Sequence, residues 1–126
     1  MSDAVDDRPV NLKALAGLPP GEPVVMINLL RFIPDDGYDS YLRYGREVGP
    51  HLERVGGRLL YSGATPVNVI GDGEHPWWDA ILVVEYPSPQ AFIAMVTDPG
   101  YQEIHEHRAA ALRQGDLIAT SRWSPV

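Results

Sequence analysis

The sequence predicts an α+β domain, a ferredoxin-like βαββαβ sandwich on a four-stranded antiparallel sheet. Three observations carry this expectation. Short apolar runs bounded by Pro and Gly alternate with longer stretches of 3–4 spacing, in the order strand, helix, strand, strand, helix, strand. That order divides into two matching strand–helix–strand units. The first and third strands are apolar on both sides, so both faces of the sheet need cover.

Taken in order, residues 1–8 read as a disordered acidic tail. Pro9 to Ala16 has a short helical pattern, with Leu12 and Leu15 on one side, closed by Gly17 and Pro19-Pro20-Gly21. Residues 1–23 thus form an N-terminal arm, partly disordered with a short helix, ahead of a single domain over 24–126. The run Val24 to Phe32, between Pro23 and the turn Pro34-Asp35-Asp36-Gly37, is a buried central strand. A helix follows from about Tyr38 to Val55. Its apolar or small positions are Tyr38, Tyr41, Leu42, Gly45, Val48, Gly49, Leu52 and Val55. Pro50 is expected to kink it.

Gly56-Gly57 stops this helix, and Arg58 to Ala64 reads as a second strand continuing irregularly through Val67 to Ile70. Strand three is Ala80 to Tyr86. Ser88 is a suitable N-cap and Pro89 a suitable first helical residue, with Phe92, Met95 and Val96 inward. Asp98-Pro99 starts a further helical piece to about Arg113. Gly115 is expected to end it, and Leu117 to Trp123 to form the last strand.

Composition narrows the function classes. A chain of 126 residues suits one domain with a real core. A net charge of −7 argues against non-specific nucleic-acid binding. No apolar stretch approaches the roughly 18–20 residues of a membrane span. The acidic N-terminus lacks a signal-peptide pattern, so a cytoplasmic protein is expected. There is no cysteine, hence no thiolate chemistry. No phosphate loop, nucleophile elbow or metal-ligand spacing is present, and neither cofactor nor metal is expected. His105 and His107, two apart on a helix, diverge too far to share an ion.

The chemistry-bearing residues are few. Asn28 is a lone amide within the most apolar run of the chain. Burying it unpartnered would cost about 1–3 kcal/mol, so it needs a partner: core, water or ligand. Alternation in strand one separates Val25, Ile27, Leu29 and Arg31 from Met26, Asn28, Leu30 and Phe32. The aliphatic set suits the helix side, which assigns Asn28 to the opposite face. A second copy of the chain is the simplest cover for that face, giving a sheet-to-sheet homodimer with a barrel-like interior. On the last helix, Tyr101, Ile104, His105, Arg108 and Leu112 share a stripe. His105 there suits a general base and Arg108 a clamp for a carboxylate or enolate oxygen, unless both merely pair at the stripe edge. Tyr41 is expected to face inward and Tyr44 to lie at the rim. Trp77-Trp78-Asp79 would place an indole at a cavity mouth or a seam.

Several of these residues together resemble an uncharacterised family, domain of unknown function 1330. The resemblance rests on Met26-Ile27-Asn28-Leu29-Leu30-Arg31-Phe32, Tyr41 with Tyr44, Gly57, Gly63, Trp78-Asp79, Tyr86-Pro87-Ser88, Phe92, Asp98, Tyr101, Arg108 and Leu112, and spans about Val24 to Trp123. It implies a dimeric α+β barrel. The family's recurring positions fall on Asn28, Arg31, Tyr41, Trp78, Asp79, Tyr86 and Arg108, none with a transferable catalytic role.

The functional expectation is a small homodimeric, cofactor-independent enzyme, of oxygenase or isomerase type, acting on a small organic molecule between sheet and helices. His105 and Arg108 are its candidate catalytic residues. Asn28, Arg31, Tyr41, Trp78 and Tyr86 are its candidate substrate contacts. The alternative is a non-catalytic small-molecule binder or structural dimer. An open pocket lined by Asn28, Arg108 and His105 would favour the enzyme, and a space filled by Met26, Leu30, Leu82 and Tyr86 would count against it.

Overall fold

The strand β1 (Val24–Phe32) is the one on which the others are built. It pairs antiparallel with β3 (Ala80–Tyr86) on one side and β4 (Leu112–Thr120) on the other. The strand β2 (Arg58–Ala64) pairs antiparallel outside β3, giving the order β2-β3-β1-β4. Helices α1 (Gly37–Arg54), α2 (Pro89–Val96) and α3 (Pro99–Ala111) lie against one face. This is the expected ferredoxin-like arrangement. The computed structural model describes residues 5–123.

Local chemistry places the breaks. Ser88 Oγ accepts a hydrogen bond from the Ala91 N–H at 3.1 Å, and Asp98 Oδ2 from the Tyr101 N–H at 3.2 Å. Each caps a helix whose first turn carries a proline that has no N–H to lose. Helix α1 runs through the exposed Pro50 without ending there.

Four expectations are corrected. First, β1 turns the other way: Val24, Met26, Asn28 and Leu30 are its buried set and lie with the helix-side core, while Val25, Ile27, Leu29 and Arg31 point to the open face. Both sets are apolar enough to be buried, so hydropathy did not separate them. Likewise Tyr44, not Tyr41, is the more deeply buried tyrosine of α1. Second, β2 stops at Ala64. Thr65 takes a positive φ of 48° and Pro66 has no N–H for a ladder, leaving Val69 and Ile70 91% and 97% exposed.

Third, β4 begins at Leu112, directly from α3, rather than at Leu117. Burial of Leu112, with an extended backbone, sets that handover, so Gly115 lies inside the strand and Trp123 beyond it. Fourth, the acidic tail is docked where it is described, residues 1–4 lying outside the described residues. The Asp6 side chain accepts from the Gly115 N–H at 2.8 Å and pairs with Arg8 at 2.6 Å, while Arg8 also reaches Asp116 at 2.7 Å. The Asp6 carboxyl is thereby held well below the usual carboxylate range, chiefly by Arg8. A 3-10 helix, Leu12–Gly17, then sets Leu15 into the core.

At the far end of β1, Asp79 ties two strands together. Its Oδ2 accepts from the Phe32 N–H at 2.9 Å, its Oδ1 pairs with Arg31 at 3.3 Å, and its own N–H donates to the Leu30 carbonyl at 2.7 Å. The Arg31 guanidinium also donates to the Trp77 carbonyl at 3.0 Å and lies 4.5 Å from the centre of the Trp77 ring. Replacing Asp79 with Ala should lower the unfolding free energy by about 1–2 kcal/mol in urea, most of it from the Phe32 N–H left without its charged partner. A change under about 0.5 kcal/mol would mean the tie contributes nothing.

Candidate functional site

Between the sheet and the helices lies a cavity of about 190 Å³. Strand alternation supplies its floor: Asn28 from β1, Leu82, Val84 and Tyr86 from β3, and Leu117 from β4. Asn28 sits opposite both Leu82 and Leu117, so the three share one face by register. Helix α1 contributes Tyr41, Tyr44, Gly45, Val48, Gly49 and Leu52, a stripe of 3–4 spacing; α2 adds Phe92, Met95 and Val96; α3 adds Tyr101, His105 and Arg108. Val10 of the N-terminal arm completes the wall.

Gly45 and Gly49 leave room here: a Cβ at either would meet nothing within 4 Å. Glycine inside a helix is less favourable than alanine by about 1 kcal/mol. Two of them along a cavity wall were a signal for space that the sequence reading took simply as helix-face positions.

Asn28 is 8% exposed, and its Nδ2 donates only a long hydrogen bond, 3.5 Å, to the Leu82 carbonyl. Its Oδ1 has no hydrogen-bond partner among the described residues. Arg108 is more exceptional. Its Nη2 is buried with no hydrogen-bond partner among the described residues. The guanidinium lies over Gly115, where a Cβ would stand 3.2 Å from Nη2, so a larger residue there would crowd it.

Three hydroxyl and ring groups form a chain. Tyr44 Oη is 2.9 Å from Tyr101 Oη, which is 3.4 Å from His105 Nδ1. Burial raises the phenol pKa values of Tyr41, Tyr44 and Tyr86, with the Arg108 charge opposing, and burial likewise raises that of Tyr101. All four are therefore neutral hydroxyls at pH 7. Burial first, then the Arg108 charge, push His105 below its ordinary 6.5, favouring neutral imidazole.

Of the residues singled out in the sequence, Asn28, Tyr41, Tyr86, His105 and Arg108 line this one cavity, whereas Arg31 and Trp78 do not. Arg31 is engaged at the Asp79 tie instead. Sequence reasoning missed Tyr44 and Tyr101 as polar members of the site, since it read them as packing. Among the described residues, no group of three or more His, Cys, Asp or Glu is placed to hold a metal. No helix among them is long and apolar enough to cross a membrane.

Two outcomes follow. Asn28→Leu should change the unfolding free energy by less than about 1 kcal/mol, because a single long hydrogen bond offsets little of the cost of burying the amide. A loss above about 2 kcal/mol would make Asn28 a structural residue. For His105, the folded pKa is depressed, so as pH falls through 6.5 the unfolded chain takes up a proton that the folded chain still refuses. Stability should therefore decline from pH 6.5 down to the folded pKa and level off below it, and His105→Gln should flatten that decline. An unchanged slope in His105→Gln would place the titration on another group.

The comparisons with known proteins agree with the fold. A protein of unknown function from Rhodopseudomonas palustris is 31% identical, with 98% of this chain and 100% of that one aligned at a TM-score of 0.81. A hydroxynitrile lyase from Passiflora edulis shares 11% identity over 85% of this chain and 99% of its own, at a TM-score of 0.61. A putative antibiotic biosynthesis monooxygenase from Bacteriodes thetaiotaomicron shares 13% over 82% and 92%, at a TM-score of 0.58. At those identities the last two show a common fold only. No curated protein matches the chain. The family model described as domain of unknown function (DUF1330) matches residues 31–121, and the chain belongs to that family.

Proposed function

We propose that the protein is a small homodimeric enzyme, working without a cofactor, that acts on a small organic molecule held in the sheet–helix cavity. The observation that carries this reading is the open cavity itself, with Asn28, His105 and Arg108 all in its lining. Met26 and Leu30 do not close it, and Leu82 and Tyr86 form its walls rather than fill it. A mostly apolar pocket with a few convergent polar groups is the usual form of a ligand site. Arg108 and Asn28 would orient a developing oxyanion, and His105, held below its ordinary pKa by burial and then by the Arg108 charge, would supply a neutral imidazole beside them. An oxygenase or isomerase type of reaction fits such a site. A non-catalytic binder is the second reading, favoured by the lack of any carboxylate in the lining.

Self-association is proposed on the open sheet face. Ile27 and Leu29 of β1 register with Val83 and Ile81 of β3, Tyr61 of β2 and Ile118 of β4 extend the same apolar surface, and Val25 lies at its edge opposite Glu85 and Thr120. A single chain leaves this surface uncovered, with Ile118 48% exposed. A second copy meeting it sheet to sheet would cover it symmetrically.

Sedimentation should give the mass of a dimer, and Ile118→Asp should give a folded monomer. A wild-type monomer at micromolar concentration would sink the assembly reading. For the cavity, a small-molecule panel should raise the melting temperature of the wild type, since a ligand that binds only the folded state stabilises it. A panel that leaves the melting temperature unchanged throughout would remove the small-molecule reading.

A further inference from the structure

On the reading that this cavity is the ligand site, we infer that it takes an organic monocarboxylate whose apolar body is about one ring in size. The carboxylate rests on the Arg108 guanidinium and the His105 Nε2–H.

The first support is the unneutralised charge. Arg108 Nη2 is buried without a hydrogen-bond partner among the described residues, and Arg108 forms no ion pair among them. A buried guanidinium N–H that lacks an acceptor is costly, and an anion removes that cost. Acidic residues do stand nearby. Asp6 and Asp116 border an adjoining hollow together with His105 and Arg108, yet both are held by Arg8, at 2.6 and 2.7 Å. The neutral Tyr41 hydroxyl also faces the Arg108 side chain, but it carries no charge, so the anionic acceptor that Nη2 lacks is left for a ligand to supply.

The second support is the polarity of the Tyr44–Tyr101–His105 chain. Tyr44 is buried, and Tyr101 is its hydrogen-bond partner among the described residues. If Tyr44 donates to Tyr101 and Tyr101 donates to His105 Nδ1, every hydroxyl hydrogen is used. In the reverse order, Nδ1–H donates to Tyr101, Tyr101 donates to Tyr44, and the Tyr44 hydrogen is stranded at a buried end. Stranding a buried donor is the costlier arrangement. The satisfied order leaves Nδ1 as acceptor and puts the imidazole hydrogen on Nε2, where His105 has no other partner among the described residues. His105 then offers a hydrogen rather than a lone pair, which runs against the general-base role its position on α3 suggests. With the spare N–H of Asn28, Arg108 and His105 offer a ligand hydrogen-bond donors, while Asn28 Oδ1 is left as an acceptor.

Size and polarity set the rest of the class. An apolar cavity of about 150 Å³ accepts benzene. At about 190 Å³, this cavity has room for one ring and a carboxylate. Its wall of Val48, Leu82, Val84, Phe92, Met95 and Val96 suits that ring.

The test is calorimetric titration of the full chain with benzoate, benzamide and toluene. Benzoate should bind at least about tenfold more tightly than benzamide, as expected for hydrogen bonds to charged groups. Arg108→Leu should bring benzoate down to the level of benzamide, its fold checked by melting temperature. The nitrogen-15 shifts of His105 in the free wild type should be those of the Nε2-protonated ring. Benzamide binding as tightly as benzoate, unchanged benzoate affinity in a folded Arg108→Leu, or a ring protonated at Nδ1 would each overturn the inference. If Arg108→Leu does not fold, the wild-type comparison of benzoate with benzamide and the His105 shifts decide. Binding of toluene or benzamide without preference for benzoate would overturn the inference yet leave the cavity reading standing; no binding by any of the three would remove both.

Discussion

A strand held by ladders on both sides can offer only every second side chain to the helices above it. In β1 that set is Val24, Met26, Asn28 and Leu30, and the rest of the molecule follows from this choice of phase. The antiparallel register carries the phase to Leu82 and Leu117, so an amide in the middle of β1 meets apolar neighbours on both flanking strands. The complementary set, Val25, Ile27 and Leu29, is pushed to the opposite face and leaves it apolar. One register decision therefore creates both the polar spot under the helices and the surface assigned to a second copy.

The cavity exists because several neighbours do not close it. Gly45 and Gly49 withhold side chains from one wall, and Gly115 leaves the guanidinium of Arg108 its place over β4. A close-packed core would have filled such a space, since methylene-sized voids already cost about 1 kcal/mol. Here the helix tolerates two glycines and a buried arginine group without an acceptor. Stability has been given up at several positions around one volume, which is consistent with the proposed ligand site.

Much of the fold was legible. The bounds of β1 and β3, and the caps at Ser88 and Asp98, were readable because turn and capping chemistry is local. The side of the sheet on which Asn28 lies was not. Val25, Ile27 and Leu29 are as apolar as Met26 and Leu30, and an open face that is itself apolar erases the usual contrast between faces. The start of β4 was misread for a related reason: Gly115 resembles a helix stop, but here it gives space to Arg108 and a backbone N–H to Asp6, both of which are tertiary facts. Of the site, Asn28, His105 and Arg108 stood out as polar groups in apolar surroundings. Tyr44 and Tyr101 did not, because nothing local distinguishes a packed tyrosine from one whose hydroxyl orients a neighbour.

The N-terminal arm has a dielectric consequence. Its Asp6–Arg8 pair is fastened to β4, and two residues on, Val10 borders the cavity beside Arg108. This segment lies ahead of the part of the chain that the family model matches. Part of the wall around Arg108 is therefore supplied from outside the residues that the family model matches. A relative that kept the sheet and helices but lacked this segment would admit water on that side, where the same arginine acts as a solvated charge with far weaker reach. How strongly the cavity distinguishes charge from neutrality can then vary within one fold, tuned by a peripheral stretch of chain while the lining itself stays the same.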